Sequence, residues 1–254
     1  MKNIVEAVEY LEAVNQVRLP SIMPKFSEFR ALMNITMPYN LSLKFYEIQD
    51  KILKDELQKK GIVDVGALQP LRDSFILYQG DITTLKADAI VNAGNEKLLG
   101  CFQPLHTCID NAIHSFAGLQ VRRDLMKLMQ EQGHDEETGK CKVTKGYNLP
   151  SKYIFHTVGP KINREVTEQN KEDLKNCYLS CLQQADELQL NSLVFCSIAT
   201  GLYGFPIEQA ASIAVSTVKE YLNQRKSHLQ RVVFNVFSKR DYDVYYRNIQ
   251  EAAV

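Results

Sequence analysis

The sequence predicts an α/β layered fold preceded by a helical segment, on three observations. From Ser74 onward, short apolar runs alternate with longer amphipathic stretches, as strands and helices do when they stack in layers. Residues 1 to 68 instead repeat their apolar positions every three or four residues, the helical period. Pro70 separates the two patterns, so the expected organisation is a helical extension over residues 1 to 70 and an α/β domain over 71 to 254.

In the extension, Ile4, Val5, Val8 and Leu11 fall on one helical face, and Leu41, Phe45, Ile48 and Ile52 on another. Pro20, Pro24 and Pro38 interrupt the period between them. Two or three helices joined by turns follow from this, the last stopping near Lys60, before Gly61. In the α/β part, strands are expected at 75–78, 89–92, 142–146, 153–158, 192–197 and 231–236. Helices are expected at about 109–131, 170–188, 206–224 and 239–250, with Pro206 at the first helical position of its helix. Ligands of such sheets collect in loops beyond the carboxyl ends of the strands, so the chemistry is sought there.

Composition narrows the function classes. The 254 residues carry 30 Lys plus Arg against 30 Asp plus Glu, which removes the broad attraction to nucleic acid or to anionic membrane. No apolar run is long enough to span a membrane, and the amino terminus lacks the apolar core of a signal peptide. Six cysteines in a chain of this length are not a disulfide framework, so a cytoplasmic protein is expected, monomeric by default.

Three segments carry chemistry. After the apolar strand, Asn92, Ala93, Gly94 and Asn95 form a small-residue loop whose backbone can approach a ligand and whose amides can donate to hydroxyls; by itself the signal is weak, and a plain turn is the simpler reading. Ser197, Ile198, Ala199, Thr200, Gly201, Leu202, Tyr203, Gly204 and Phe205 follow a strand and open a helix. Free N–H groups and the positive end of the helix dipole suit a phosphate or diphosphate there, although neither a Walker A nor a Gly-x-Gly-x-x-Gly spacing is present. Cys101, His106 and Cys108 make a Cys-x4-His-x-Cys array, whose soft thiolates and imidazole suit zinc with one coordination position left open. The spacing is not that of a zinc finger, and buried thiols with a satisfied histidine are the competing reading. Asp110 and His114 share one helical face behind this array, Asp110 as a functional carboxylate or as a helix cap.

Gly80-Asp81-Ile82-Thr83, the stretch 88–95, the stretch 109–114 and the loop 197–206 come in the order and spacing of the macrodomain family, a resemblance covering roughly residues 74 to 252. The string Gly100-Cys101-Phe102-Gln103-Pro104-Leu105-His106-Thr107-Cys108-Ile109-Asp110-Asn111 resembles the zinc-containing branch of that family, as does the helical extension. The resemblance implies a three-layer α/β/α macrodomain with a mixed central sheet and Zn2+ on Cys101, His106 and Cys108. It implies ADP-ribose binding, with adenine at Asp81 and Ile82, Phe237 lining its pocket, and the diphosphate wrapped by the backbone of 197–205. Asn92 and Asn95 would follow the distal ribose. Gly94 departs from the alanine common in the family, which should loosen the loop.

The implied activity is hydrolysis of the bond between ADP-ribose and a protein side chain, an ester to an acidic residue. Asp110 would act as general base or water orienter, with Asn95 beside it. Zinc would either lower the pKa of bound water or hold the distal ribose. The resemblance further implies, as substrate, a lipoyl-carrier-like protein modified by a sirtuin-type transferase. Two alternatives stand beside it: a module that binds ADP-ribose without cleaving it, and zinc as a purely structural clamp. The extension either covers one side of the α/β layer or shapes the surface that meets the substrate protein.

Overall fold

The computed structural model describes residues 2–19, 22–224 and 227–251; Met1, Pro20 and residues 252–254, which enter the expectations above, lie outside them. Three helices make the amino-terminal part: α1 (Lys2–Asn15), α2 (Lys25–Ile35) and α3 (Leu43–Lys60). The inner stripe of α1 is Ile4, Ala7, Val8 and Leu11, spaced i, i+3, i+4, i+7. Val5, expected on this face, is 40% exposed, because one step from Ile4 turns the side chain about 100° round the helix. The Ser42 hydroxyl caps α3 by accepting the Phe45 N–H, Leu41 precedes the helix, and Gly61 ends it at φ 84°, as the sequence requires. Phe29, Leu32 and Met33 of α2 pack with Phe45, Ile52 and Leu53 of α3 in a core of their own, which Leu119 joins from the α/β part.

In chain order the strands are β1 (Val63–Asp64), β2 (Phe75–Gln79), β3 (Leu85–Lys86), β4 (Ala89–Gly94), β5 (Cys141–Lys145), β6 (Tyr153–Val158), β7 (Ser192–Phe195) and β8 (Arg231–Val236). The helices after α3 are α4 (Ile109–Ala117), α5 (Leu119–Gln132), α6 (Glu168–Glu187), α7 (Ile207–Gln224) and α8 (Lys239–Glu251). Among the described residues the main sheet is six-stranded, in the order β2-β8-β7-β4-β6-β5. All its neighbours run parallel except β5, antiparallel to β6, so the sheet is mixed as expected. The middles of its central strands are apolar, with Ile90, Val91, Leu193, Val194, Val232 and Val233 fully buried, because helices cover both faces of a parallel sheet. Helices α6, α7 and α8 pack together as one group; α4 and α5 form the other, against which α2 and α3 lean. No described helix is long and apolar enough to cross a membrane.

Three local expectations are corrected. The single helix over 109–131 is two helices, broken at Gly118 with φ 99°, where a side chain would lie 2.6 Å from Gln120 Oε1 and 2.7 Å from Gln49 Nε2. Here α3 docks: Gln49 Oε1 accepts the Leu119 N–H at 2.9 Å, a partner that the helical period could not announce. The loop expected at 92–95 is strand up to Gly94, because β6 continues alongside it and pairs Asn92, Ala93 and Gly94 with His156, Thr157 and Val158. Helix α7 opens at Ile207, immediately after Pro206.

Candidate functional site

Beyond the carboxyl ends of β2, β4, β7 and β8 lies a cleft of about 680 Å³. One end is made by Gly80, Asp81 and Ile82, after β2, with Val236 at the end of β8 and Phe237 beyond it. The Asp81 carboxylate caps a one-turn 3-10 helix: Oδ1 accepts the Thr83 N–H at 2.9 Å and the Thr83 hydroxyl at 2.6 Å. Its Oδ2 lies 2.6 Å from the Lys60 ammonium at the end of α3. Burial would raise Asp81, but hydrogen bonds from Lys60 and Thr83 and the Lys60 charge reverse this and hold it below its usual range. Phe237 is 84% exposed at the rim.

The floor is the loop 197–205. Ile198 and Phe205 point into the core and anchor its ends, leaving Ser197, Ala199, Thr200, Gly201, Leu202 and Tyr203 on the cleft. Gly204 is not on the cleft wall; it supplies the turn at φ 72°, and its N–H donates to Gly201 O at 3.0 Å. The Phe205 N–H returns to Ala199 O at 3.0 Å, while Ala199 takes a positive φ of 64°. The N–H groups of residues 200 to 203 donate to no backbone carbonyl among the described residues, and α7 begins just beyond them. Free donors at a helix start form an anion cradle.

The third wall is the loop 100–108. The ligand atoms of Cys101, His106 and Cys108 all lie within 4.8 Å of one another, with Cys101 Sγ 3.7 Å from His106 Nδ1. Cys101 and Cys108 line the cleft; His106 does not. Cys108, rather than Asp110, caps α4, its sulfur accepting the Asn111 N–H at 3.4 Å. Burial and the neighbouring Cys101 push the Cys108 thiol up to about 11, against that N–H. Two sulfurs so close resist ionising together, and a divalent cation between them removes that penalty; the donor set therefore fits zinc.

Asp110 lines the cleft from the first turn of α4, almost wholly buried. Burial raises its carboxyl to about 6, against hydrogen bonding from Asn92 and the charge of Arg122. Asn92 does not reach the cleft: its Nδ2 lies underneath, donating to Asp110 Oδ1 at 2.8 Å, and sits 3.2 Å from His156 Nδ1. The other nitrogen of His156 is 2.9 Å from Thr144 Oγ1. The His114 ring is 3.5 Å from Asp110, but burial first, then Arg122 and His156, hold it far below its usual range, so the contact is not an ion pair. Asn95 lines the cleft while its amide braces the turn, donating to Gly100 O at 3.2 Å and accepting the Lys97 N–H at 3.0 Å. Gly94 ends β4, paired with Val158, and a β-carbon there would lie 3.3 Å from Asp110 Oδ1, a close but not forbidding approach.

A profile of the macro domain family matches residues 91–214. The protein-ADP-ribose hydrolase of Staphylococcus aureus is 48% identical over 219 residues, covering 85% of this chain and 82% of that one. The chain belongs to the macro domain family. The protein-ADP-ribose hydrolase of Treponema medium is 46% identical over 220 residues, 85% of this chain and 84% of that one. Among solved structures, the Trypanosoma brucei macrodomain in complex with ADP-ribose superposes with a TM-score of 0.66 at 30% identity, covering 85% of this chain and 94% of that chain.

In this macro domain the site residues named from the sequence gather at one cleft, apart from the buried Asn92 and Phe205, the exposed Gly204, and His106, none of which lines it. The residues that sequence reasoning missed come from the extension and from α5. Arg122, on α5, is fully buried and donates through Nε to Leu99 O at 2.7 Å and through Nη1 to Met33 O and Thr36 O at 2.9 and 2.6 Å. Burial pushes it down to about 10, against Asp110 and Cys101. Phe102 covers its guanidinium at 4.3 Å. Asn34 Oδ1 accepts the Leu105 N–H at 2.9 Å, and Arg30 donates to Asn111 Oδ1 at 2.8 Å. Arg122, Arg30, Asn34 and Lys60 stand in helices whose period reports only which face is apolar, and none of these polar contacts has a local signal.

Proposed function

We propose that this macro domain releases mono-ADP-ribose from an acidic side chain of a protein, with a zinc ion on Cys101, His106 and Cys108. The observation that carries the reading is the placement of those ligand atoms within 4.8 Å of one another, in the wall that also presents Asp110. That the chain is a hydrolase acting on ADP-ribosylated protein rests on its similarity to the staphylococcal and treponemal hydrolases. ADP-ribose would lie with adenine at Asp81, Ile82 and Phe237, its diphosphate on the free N–H groups of the loop 197–205, and its distal ribose toward Asn95 and Asp110. A zinc ion held by these three residues would supply a Lewis acid beside Asp110. Asn92 occupies Asp110 Oδ1 and leaves Oδ2 to orient a water or a ribose hydroxyl. Ile198 and Phe205 hold the loop beneath the diphosphate, so binding energy along the nucleotide positions the scissile bond.

Residues 1 to 70 are read as an extension built into this site, and the chain as a monomer. All six cysteines are free, as suits the cytosol. The substrate protein in this reading is lipoyl-carrier-like, modified by a sirtuin-type transferase; release no faster from such a carrier than from an unrelated acid-linked protein counts against that partner.

The test joins metal analysis with release of ADP-ribose from an acid-linked mono-ADP-ribosylated protein. The expected result is about one zinc per chain and release that stops in Cys101→Ala protein that still binds ADP-ribose. Metal-free protein that binds ADP-ribose and releases none leaves a binding module. Chelation that removes binding and thermal stability together makes the metal a structural clamp.

A further inference from the structure

We propose that Lys60 is a positioning residue for the nucleobase: it pins the Asp81 carboxylate so that a single acceptor site faces the cleft, selecting a base with an exocyclic amino group on its edge. This rests on the reading that places the base of ADP-ribose at Asp81.

A carboxylate offers roughly four lone-pair sites. Two on Oδ1 are taken by the Thr83 N–H and hydroxyl, at 2.9 and 2.6 Å, and one on Oδ2 by Lys60 at 2.6 Å. One site on Oδ2 is left for a ligand. The ammonium is saturated in turn, because its three N–H groups meet Asp81 Oδ2, Thr83 Oγ1 at 3.3 Å and the face of Phe116, whose centroid is 3.3 Å away. No donor remains there for a base that presents an oxygen. A 6-amino purine therefore finds its acceptor, whereas a 6-oxo purine turns a carbonyl oxygen toward the ionised carboxylate at that position and carries its N1–H one atom further along the ring. Lys60 is held for this task by the chain itself, as the last residue of α3 with Gly61 turning away at φ 84°. Charge near Asp81 comes also from Arg30 on α2, which acts in the same direction but makes no hydrogen bond to it.

The test is calorimetric titration of the full chain with ADP-ribose and with its hypoxanthine analogue, using wild type, Lys60→Met, Lys60→Arg and Asp81→Ala. Wild type should prefer ADP-ribose by about tenfold or more, one hydrogen bond to a charged acceptor. Lys60→Met keeps the aliphatic stem on Phe116, and should weaken ADP-ribose binding about tenfold and erode the preference for it. Without the cation the Asp81 carboxyl rises, and binding that needs its ionised form is lost as pH falls. The deficit of Lys60→Met should therefore deepen between about pH 7 and about pH 5. Lys60→Arg should restore most of the affinity and the wild-type pH profile, and turnover at saturating substrate should stay within about twofold in both Lys60 variants. Wild type that binds the two ligands equally overturns the inference, whatever the variants do. So does Lys60→Met protein that binds as tightly as wild type while Asp81→Ala binds weakly. If Asp81→Ala binds ADP-ribose like wild type, the placement of the base itself fails.

Discussion

The loops 197–205 and 100–108 both line the cleft, and they are held by different means. The first closes on its own backbone, through the Phe205 N–H to Ala199 O and the Gly204 N–H to Gly201 O, with Ile198 and Phe205 as apolar anchors. The second is held mostly by side chains: Asn34 takes the Leu105 N–H from a distant helix, Asn111 Nδ2 donates to Gln103 O, and Arg122 takes the O of Leu99 just before the loop. A loop that must leave its N–H groups free for an anion cannot use them to brace itself, so glycine turns and core anchors shape it. A loop that presents side-chain ligands has no such restriction, and its backbone can be clamped from outside. The extension thus belongs to the wall carrying the proposed zinc ligands and has little to do with the loop 197–205.

The comparison breaks most visibly in turnover. Asp110→Ala should slow ADP-ribose release by about 100-fold or more while ADP-ribose affinity changes by no more than a few fold; parallel loss of both in folded protein would mean that the two walls are not separable. Next in size is the clamp. Arg122→Met removes the donor to three carbonyls and should destabilise the chain by about 3 kcal/mol in urea unfolding. A loss below about 1 kcal/mol would show that the extension and the loop 100–108 are held by apolar packing alone.

Smaller and more selective is Asn34→Ala, which should weaken zinc retention about tenfold in chelator competition and leave ADP-ribose binding alone. Unchanged zinc affinity would remove the extension from the metal wall. The mirror experiment is Gly204→Ala, where a β-carbon at φ 72° should cost about 1 kcal/mol and weaken ADP-ribose binding a few fold. Zinc content should not move. If Gly204→Ala loses zinc and Asn34→Ala loses ADP-ribose binding, the contrast between the two loops is wrong.

By itself the sequence determined the alternation of strands and helices, the helical character of the extension with its stop at Gly61, and the segments that meet at the cleft. These are local properties, carried by apolar period, by capping residues and by short strings such as Cys101 to Cys108. Only the tertiary structure decided that Asn92 lies beneath Asp110 and off the cleft lining, because a two-residue strand period cannot tell the rim of a cleft from what lies under it. The break at Gly118 also depended on tertiary contact, since a lone glycine in a helical period signals a break only once Gln49 docks against it. The same holds for Lys60 at Asp81, Asn34 at Leu105 and Arg122 at Leu99: each is a polar contact between residues 21 or more apart, and hydrogen-bond partners at such distances leave no trace in local pattern.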